Sequence, residues 1–191
     1  RTAGRHMLRI RITAGAVSSD QLRAMARAAA RDGNSLIHVT TRQDLQVHDV
    51  PVETLHRALV TLAETGLSTI GGGGNSVRNV TACADTGFCD KECFGVADHA
   101  RAVTTDLLET PFALDLPRKY KLSFSGCDED CAGARANDVG YIAKVVDGKR
   151  GFEVHAGGGM GGKSTVASLL EEFIPEEEIF YVAEAVKRVF D

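Results

Sequence analysis

Apolar and polar residues alternate from Met7 to Ile12, which predicts a strand with Leu8, Ile10 and Ile12 on one face and Arg9 and Arg11 on the other. A helix follows. Ser18 and Gln21 have capping-box spacing, Val17 and Leu22 suit a hydrophobic staple, and Gly33 stands where a left-handed C-cap is wanted. Its apolar stripe is Leu22, Met25, Ala26 and Ala29. Short strands over 35–40 and 44–49 precede a helix that opens near Pro51 and runs through Leu55, Leu59 and Leu62 to Gly66, and Leu67 to Ile70 reads as a closing strand. That order is a split βαβ, ferredoxin-like arrangement. Leu8, Ile10, Ile37, Val39, Leu45 and Val47 pack under the helices, leaving Arg9, Arg11, His38, Thr40, Gln46 and His48 on a polar, partly cationic face. Such a face suits solvent or an anionic ligand.

Gly71–Gly74 is a flexible link, taken as the junction between units 1–74 and 75–191. Beyond it, 96–108 reads as a helix and 119–125 as a strand with Lys119 and Lys121 on one face and Tyr120, Leu122 and Phe124 on the other. Residues 139–146 and 151–156 form a hairpin around Asp147-Gly148. The remainder, from Leu169 to Asp191, reads as linker and helix. Pro175 opens that helix, Glu176, Glu177 and Glu178 complement its positive end, Lys187 and Arg188 its negative end, and Ile179, Val182, Val186 and Val189 form its buried stripe.

The 191 residues, 43% hydrophobic and 25% charged, describe a globular chain with a net charge of −4. This gives no bulk attraction to nucleic acid or anionic lipid, so an anion site has to be a local cluster of cations. Without an export signal or a long apolar run, the expected location is the cytoplasm.

Five cysteines suit a disulfide framework poorly. Cys83 and Cys89 form a C-x5-C pair, and Cys127 and Cys131 a C-x3-C pair. Four thiolates suit an iron–sulfur cubane; zinc competes but favours tighter spacings, and spacing alone does not exclude buried free thiols. Cys93 is left over and reads as an inert buried thiol. Arg78 stands shortly before Cys83, and Lys119 and Lys121 shortly before Cys127, so cations flank both pairs. That combination fits an oxyanion substrate or a polycarboxylate cofactor. A rival motif is Gly157, Gly162, Lys163 and Ser164, which match the phosphate-binding loop pattern. Against it, the 27 residues after Ser164 contain no apolar strand ending in a magnesium-binding Asp.

Taken together, M-L-R-I-R, T-T-R-Q with Q-V-H, V-R-N-V-T-A-C, L-P-R-K-Y-K, S-G-C-x3-C and G-F-E-V-H-A-G-G-G occur in the order that resembles the siroheme-containing nitrite and sulfite reductases, from about Met7 to Gly159. The likeness implies an α+β fold, a ferredoxin-like half-domain followed by an α/β siroheme and cluster domain, and it absorbs Gly157–Gly159 as a turn. It implies a [4Fe-4S] cluster on Cys83, Cys89, Cys127 and Cys131, with the Cys131 thiolate shared with the siroheme iron. Arg9, Arg78, Lys119 and Lys121 correspond to groups that bind sulfite or nitrite and assist its six-electron reduction. Thr40, Thr41, Arg42, Gln46, His48, Asn79 and Arg118 correspond to siroheme-binding positions. Ferredoxin or a flavoprotein is the implied electron donor.

Two departures stand out. Asp128, Glu129 and Asp130 place three acids between Cys127 and Cys131, which should lower the cluster potential. Family members of the assimilatory type contain two such repeats, whereas one is present here. With Arg1 as first residue, the expectation is a fragment of a longer subunit, or a protomer that pairs with a second repeat. The alternative is a non-catalytic iron–sulfur electron-transfer or scaffold module.

Overall fold

In the computed structural model, which describes residues 3–110 and 112–190, the opening alternation forms β1 (Arg5–Ile10), earlier than the pattern placed it. Arg1 and Asp191, the outer ends of the two expected units, lie outside the described residues. β1 pairs antiparallel with β3 (Leu45–Pro51), and β3 with β2 (Ile37–Val39), giving the order β1-β3-β2. Its register sets Leu8 and Ile37 against Val47 on one face, and Arg9 and His38 against Gln46 on the other.

Between β1 and β2 runs α1 (Ser19–Asp32), whose capping box is complete: Gln21 N donates to Ser18 Oγ at 3.2 Å and Ser18 N to Gln21 Oε1 at 2.9 Å. Its buried stripe is Ala24, Met25, Ala28 and Ala29 rather than the expected one. Leu22 and Ala26 are exposed. Leu22 instead borders a shallow apolar cavity with Ile12, Val17, Val39 and Leu45, which is also why Val39 stands in the open rather than under the helices. Gly33 is extended, not left-handed; Ser35, at φ 63°, makes the turn. Helix α2 (Val52–Ala63) follows Pro51 and buries Ala58 and Leu62 beside Met25, Ile10 and Val47. Under this layer Asp32 is held by Arg31 and Arg57. Leu67–Ile70 is not a strand: one backbone bond, Arg11 N to Ser68 O at 2.9 Å, ties it to the sheet.

The second sheet has the order β10-β7-β6-β5-β4. Strands β4 (Thr81–Ala82), β5 (Leu122–Ser125) and β6 (Val139–Val146) are parallel, and β7 (Lys149–Ala156) and β10 (Ser168–Pro175) extend it antiparallel. Helices α3 (Ala97–Glu109) and α4 (Ile179–Phe190) cover the face that carries Tyr120, Leu122, Phe124, Tyr141 and Phe152. The buried hydroxyls of Tyr120 and Tyr141 donate to Ala183 O (2.9 Å) and Ile179 O (3.0 Å), which fixes α4 to the sheet. Val189 is exposed, and the buried α4 face uses Lys187, paired with Glu184 and Thr110, instead.

β10 corrects the helix-and-linker reading of its segment. Likewise Ser164 opens not a helix but β9 (Ser164–Thr165), paired with β8 (Gly159–Met160), so the phosphate-loop motif lacks the helix whose N-terminus would hold a phosphate. Among the described residues no helix is long and apolar enough to cross a membrane.

The T-T-R-Q segment joins the sheets. Gln43 Nε2 donates to Ala82 O at 2.7 Å and its Oε1 accepts from Ala82 N at 3.1 Å, as a neighbouring strand would. Arg42 donates from Nε and Nη2 to Asn79 O (3.2 and 2.7 Å), from Nη2 to Leu122 O (2.9 Å), and from Nη1 to Asn137 Oδ1 (2.8 Å).

Candidate active site

Because β4 and β5 are parallel, whatever precedes them gathers at one end and whatever follows them at the other. Arg78 precedes β4, and Lys119 and Lys121 precede β5; Cys83 follows β4, and Cys127 follows β5. The cations and the thiols therefore occupy opposite ends of the same two strands.

At the cationic end lies a cavity of about 450 Å³, open to solvent and lined by Arg9, Thr40, Thr41, Arg42, Gln46, Arg78, Lys119 and Lys121, with His38, Val39 and Asp44. All four expected oxyanion-binding residues meet here, from both sheets. The β1-β3-β2 register supplies the row Arg9, Gln46, His38. With its amide oxygen turned to Arg9, Gln46 accepts from Arg9 Nε (2.9 Å) and Nη2 (2.8 Å) and donates to His48 Nε2 (2.9 Å), so His48 stands behind the lining.

Other expected positions play different parts. Asn79 is buried outside the lining, its Nδ2 donating to Ile12 O and Arg42 O at 2.8 Å each. Arg118 is exposed and outside the lining. Arg42 lines the cavity, yet its bonds to protein acceptors engage most of its donors, so it shapes the wall. Burial lowers its pKa to about 10. Arg11, expected beside Arg9, lies past the end of β1 and is buried, donating to Ile70 O (3.1 Å) and Val77 O (2.8 Å).

Asp44 was not singled out by sequence reasoning, although its place directly after T-T-R-Q marks it. Burial raises its carboxyl above the usual range, opposed by the bond from Ile12 N and by Arg11. Arg78 is pushed down by burial and by the neighbouring charge of Arg9. Among the described residues, Arg11 Nη1, Arg78 Nε and Asn79 Oδ1 are buried around this end with no partner in the protein. An unpaired buried guanidinium donor among like charges fits an anionic ligand.

At the thiol end the two loops are bound together. Cys83 N donates to Phe124 O (3.2 Å), Gly126 N to Cys83 Sγ (3.3 Å), and Cys93 N to Gly126 O (2.8 Å). Cys83 and Cys127 are buried, Cys89 is half-buried and Cys131 exposed. Cys93 is exposed too, which corrects the buried-thiol reading. Burial raises the Cys83 thiol above its ordinary value, and the charges of Cys131 and Cys127 add to this. Burial likewise raises Cys131, with Cys127 and, more weakly, Cys89 contributing. Cys131 thus lies within electrostatic reach of Cys83, Cys127 and Cys89. Among the described residues no three His, Cys, Asp or Glu side chains close on a single metal ion. A cubane takes one thiolate per iron and so spaces its ligands more widely than a lone zinc does, and the gathered thiols fit it.

Each acid of the C-x3-C loop is paired. Asp128 meets Lys144 at 2.5 Å and Glu129 meets Lys91 at 2.6 Å. Asp130, at φ 52°, accepts from Ser125 Oγ and Ala134 N at 2.6 Å each. These partners offset the negative charge that the sequence placed beside the cluster.

Known proteins similar to this chain share its fold and its two-part order. Residues 73–191 match the model of the nitrite and sulphite reductase 4Fe-4S domain, and 1–65 that of the nitrite/sulfite reductase ferredoxin-like half domain. An assimilatory ferredoxin-dependent nitrite reductase of Haloferax mediterranei is 32% identical over 92% of this chain and 32% of its own length. A ferredoxin–nitrite reductase of Leptolyngbya laminosa is 30% identical over 98% of this chain and 38% of its own length. The solved structure of the Mycobacterium tuberculosis NirA protein superimposes with a TM-score of 0.88 at 28% identity, over 96% of this chain and 34% of that one. Dissimilatory sulfite reductase I shares the fold, with a TM-score of 0.81 at 15% identity, over 94% of this chain and 60% of that one. The chain spans about a third of the length of these curated relatives. With both family models matched in order and the motif residues gathered at the two ends of β4 and β5, the chain belongs to the siroheme- and [4Fe-4S]-containing nitrite and sulfite reductase family.

Proposed function

We propose that the chain is one repeat of a siroheme-dependent reductase that converts nitrite to ammonia or sulfite to sulfide, its two units meeting at the Gly71–Gly74 link. The observation that carries this reading is the convergence of Arg9, Arg78, Lys119 and Lys121 on one cavity, with four cysteines at the far end of the strands that bear three of those cations. When bound, siroheme would supply the iron for reduction of the oxyanion and a [4Fe-4S] cluster would supply single electrons.

The rest falls to the protein. Cys83, Cys89, Cys127 and Cys131 would hold the cluster, and Cys131 would also serve siroheme. Thr40, Thr41, Arg42 and Gln46 line the wall that receives the carboxylate-rich macrocycle, and His48 orients Gln46. Arg9 and Arg78 fix the anion's oxygens as charged hydrogen-bond donors, while the Lys119 and Lys121 ammonium groups polarise them and hold protons for the oxygen that leaves as water. Relatives named as ferredoxin-dependent nitrite reductases favour nitrite as substrate and a ferredoxin as donor. A second repeat completes the cofactor pocket, because this cavity is open on one side.

The test is turnover by the anaerobically purified full-length protein with reduced ferredoxin and either oxyanion. Six-electron reduction of nitrite or sulfite is expected. A protein that binds siroheme and reduces neither overturns the catalytic reading in favour of an electron-transfer or scaffold role.

A further inference from the structure

Three arginines of the cationic end are held by carbonyl oxygens of one short segment, the glycine link and its flanks. Gly72 O accepts from both Arg9 Nη1 (3.1 Å) and Arg78 Nη2 (2.7 Å), and Gly74 O accepts from Arg78 Nη1 (3.2 Å). Arg11 bridges Ile70 O and Val77 O on either side. Like charges brought this close repel, and Arg78 bears the mark of Arg9 beside it. Asp44, which also lines the cavity, offsets part of this repulsion, whereas a further carboxylate between them would also remove the positive potential that draws an anion. Carbonyl dipoles turn their negative ends to the guanidiniums without adding net charge.

A side chain at position 72 would also force its neighbours to shift. A Cβ there would lie 2.7 Å from Arg9 O and 3.0 Å from Thr69 O, both backbone atoms that cannot yield as a side chain can. At Gly73 a Cβ meets nothing within 4 Å.

We propose that Gly72 is a positioning residue for the oxyanion site: its carbonyl, shared by Arg9 and Arg78, holds the two guanidiniums at the spacing the anion requires while leaving their charge intact. This rests on the functional reading above. Gly72 touches no substrate and acts through the two arginines.

The test compares Gly72→Ala with Gly73→Ala in the full-length, siroheme-loaded protein, by titrating nitrite or sulfite and following the change in visible absorbance, alongside KM and kcat. Gly72→Ala is expected to retain siroheme and an unaltered spectrum without anion, yet to need on the order of ten-fold more anion for half-saturation and to lose up to about 10²-fold in kcat/KM. Gly73→Ala is expected to match wild type. A Gly72→Ala protein that binds the anion as wild type does, or a Gly73→Ala protein impaired to the same degree, overturns the proposal. Should Gly72→Ala fail to fold, Arg78→Lys takes its place: it keeps the charge but lacks the fork that spans Gly72 O and Gly74 O, and undiminished anion binding by that variant is equally contrary. Siroheme missing from the wild type counts against the functional reading, whereas siroheme present with anion binding indifferent to position 72 counts against this inference alone.

Discussion

Replacing Arg42 separates a structural clamp from a cofactor contact. The guanidinium makes four bonds to three acceptors, Asn79 O, Leu122 O and Asn137 Oδ1, drawn from the segment before β4, from β5 and from the turn before β6. Arg42→Ala strands Asn79 O and Asn137 Oδ1 and leaves Leu122 O only the long bond from Thr81 Oγ1 (3.5 Å). A buried acceptor left unpaired costs about 1–3 kcal/mol, and breaking a buried charged network about 3–5 kcal/mol. Two terms reduce the loss: water from the adjoining cavity reaches part of the gap, and the burial cost that lowers the Arg42 pKa disappears with the charge. The net expectation is a loss of about 3 kcal/mol. In urea, with a slope of about 2 kcal/mol per molar, the unfolding midpoint falls by roughly 1.5 M. Arg42→Lys is the sharper variant, because it keeps the charge and gives up the fork; it is expected to lose at least about half as much. Far-UV circular dichroism against urea measures both. A lysine variant with the wild-type midpoint, or an alanine variant within about 1 kcal/mol of it, refutes the clamp and returns Arg42 to a charge that serves only the cofactor.

Lys119→Met is expected to cut turnover far more than siroheme content, measured as kcat beside visible absorbance; equal losses would place Lys119 in cofactor binding. Cys93→Ser is expected to leave the iron content of anaerobic protein unchanged, since Cys93 is exposed and outside the proposed ligand set. Asp32 carries a pH dependence. Burial raises its pKa, but the hydrogen bonds from Arg57 and Arg31 outweigh this and bring it below the ordinary 3.8. A depressed folded-state pKa stabilises the fold above the unfolded value and loses that contribution as pH falls through the folded one. Acid titration below pH about 4 is therefore expected to destabilise wild type more than Asp32→Asn, and parallel acid curves would contradict the assignment.

The parts of the fold legible in the sequence were those with a local physical signature. The Ser18–Gln21 capping box and the 139–156 hairpin depend on neighbours in sequence, and both formed; the strand expected from Lys119 begins only at Leu122, although Lys119 and Lys121 still line one cavity and Tyr120 is buried. β10 was missed because its ladder with β7 shifts register twice, between Leu169 and Glu171 and between Glu171 and Ile174, so no two-residue period survives. Arg11 was placed with Arg9 by a period that β1 does not sustain past Ile10. At the site, residue types and chain order pointed to cations and thiols, but their arrangement at opposite ends of β4 and β5 depends on parallel pairing between distant segments. The carbonyls that hold Arg9 and Arg78 left no trace beyond a run of glycines, because a backbone acceptor has no letter of its own.

Iron and acid-labile sulfide, counted per chain in anaerobic full-length protein and again after Cys131→Ser, bear most directly on the four-thiolate centre. The account predicts iron and sulfide in the proportions of a cubane plus one siroheme iron, and loss of the siroheme absorbance together with cluster iron when Cys131 is replaced. Iron and siroheme indifferent to Cys131, or a single colourless metal with no labile sulfide, would contradict it.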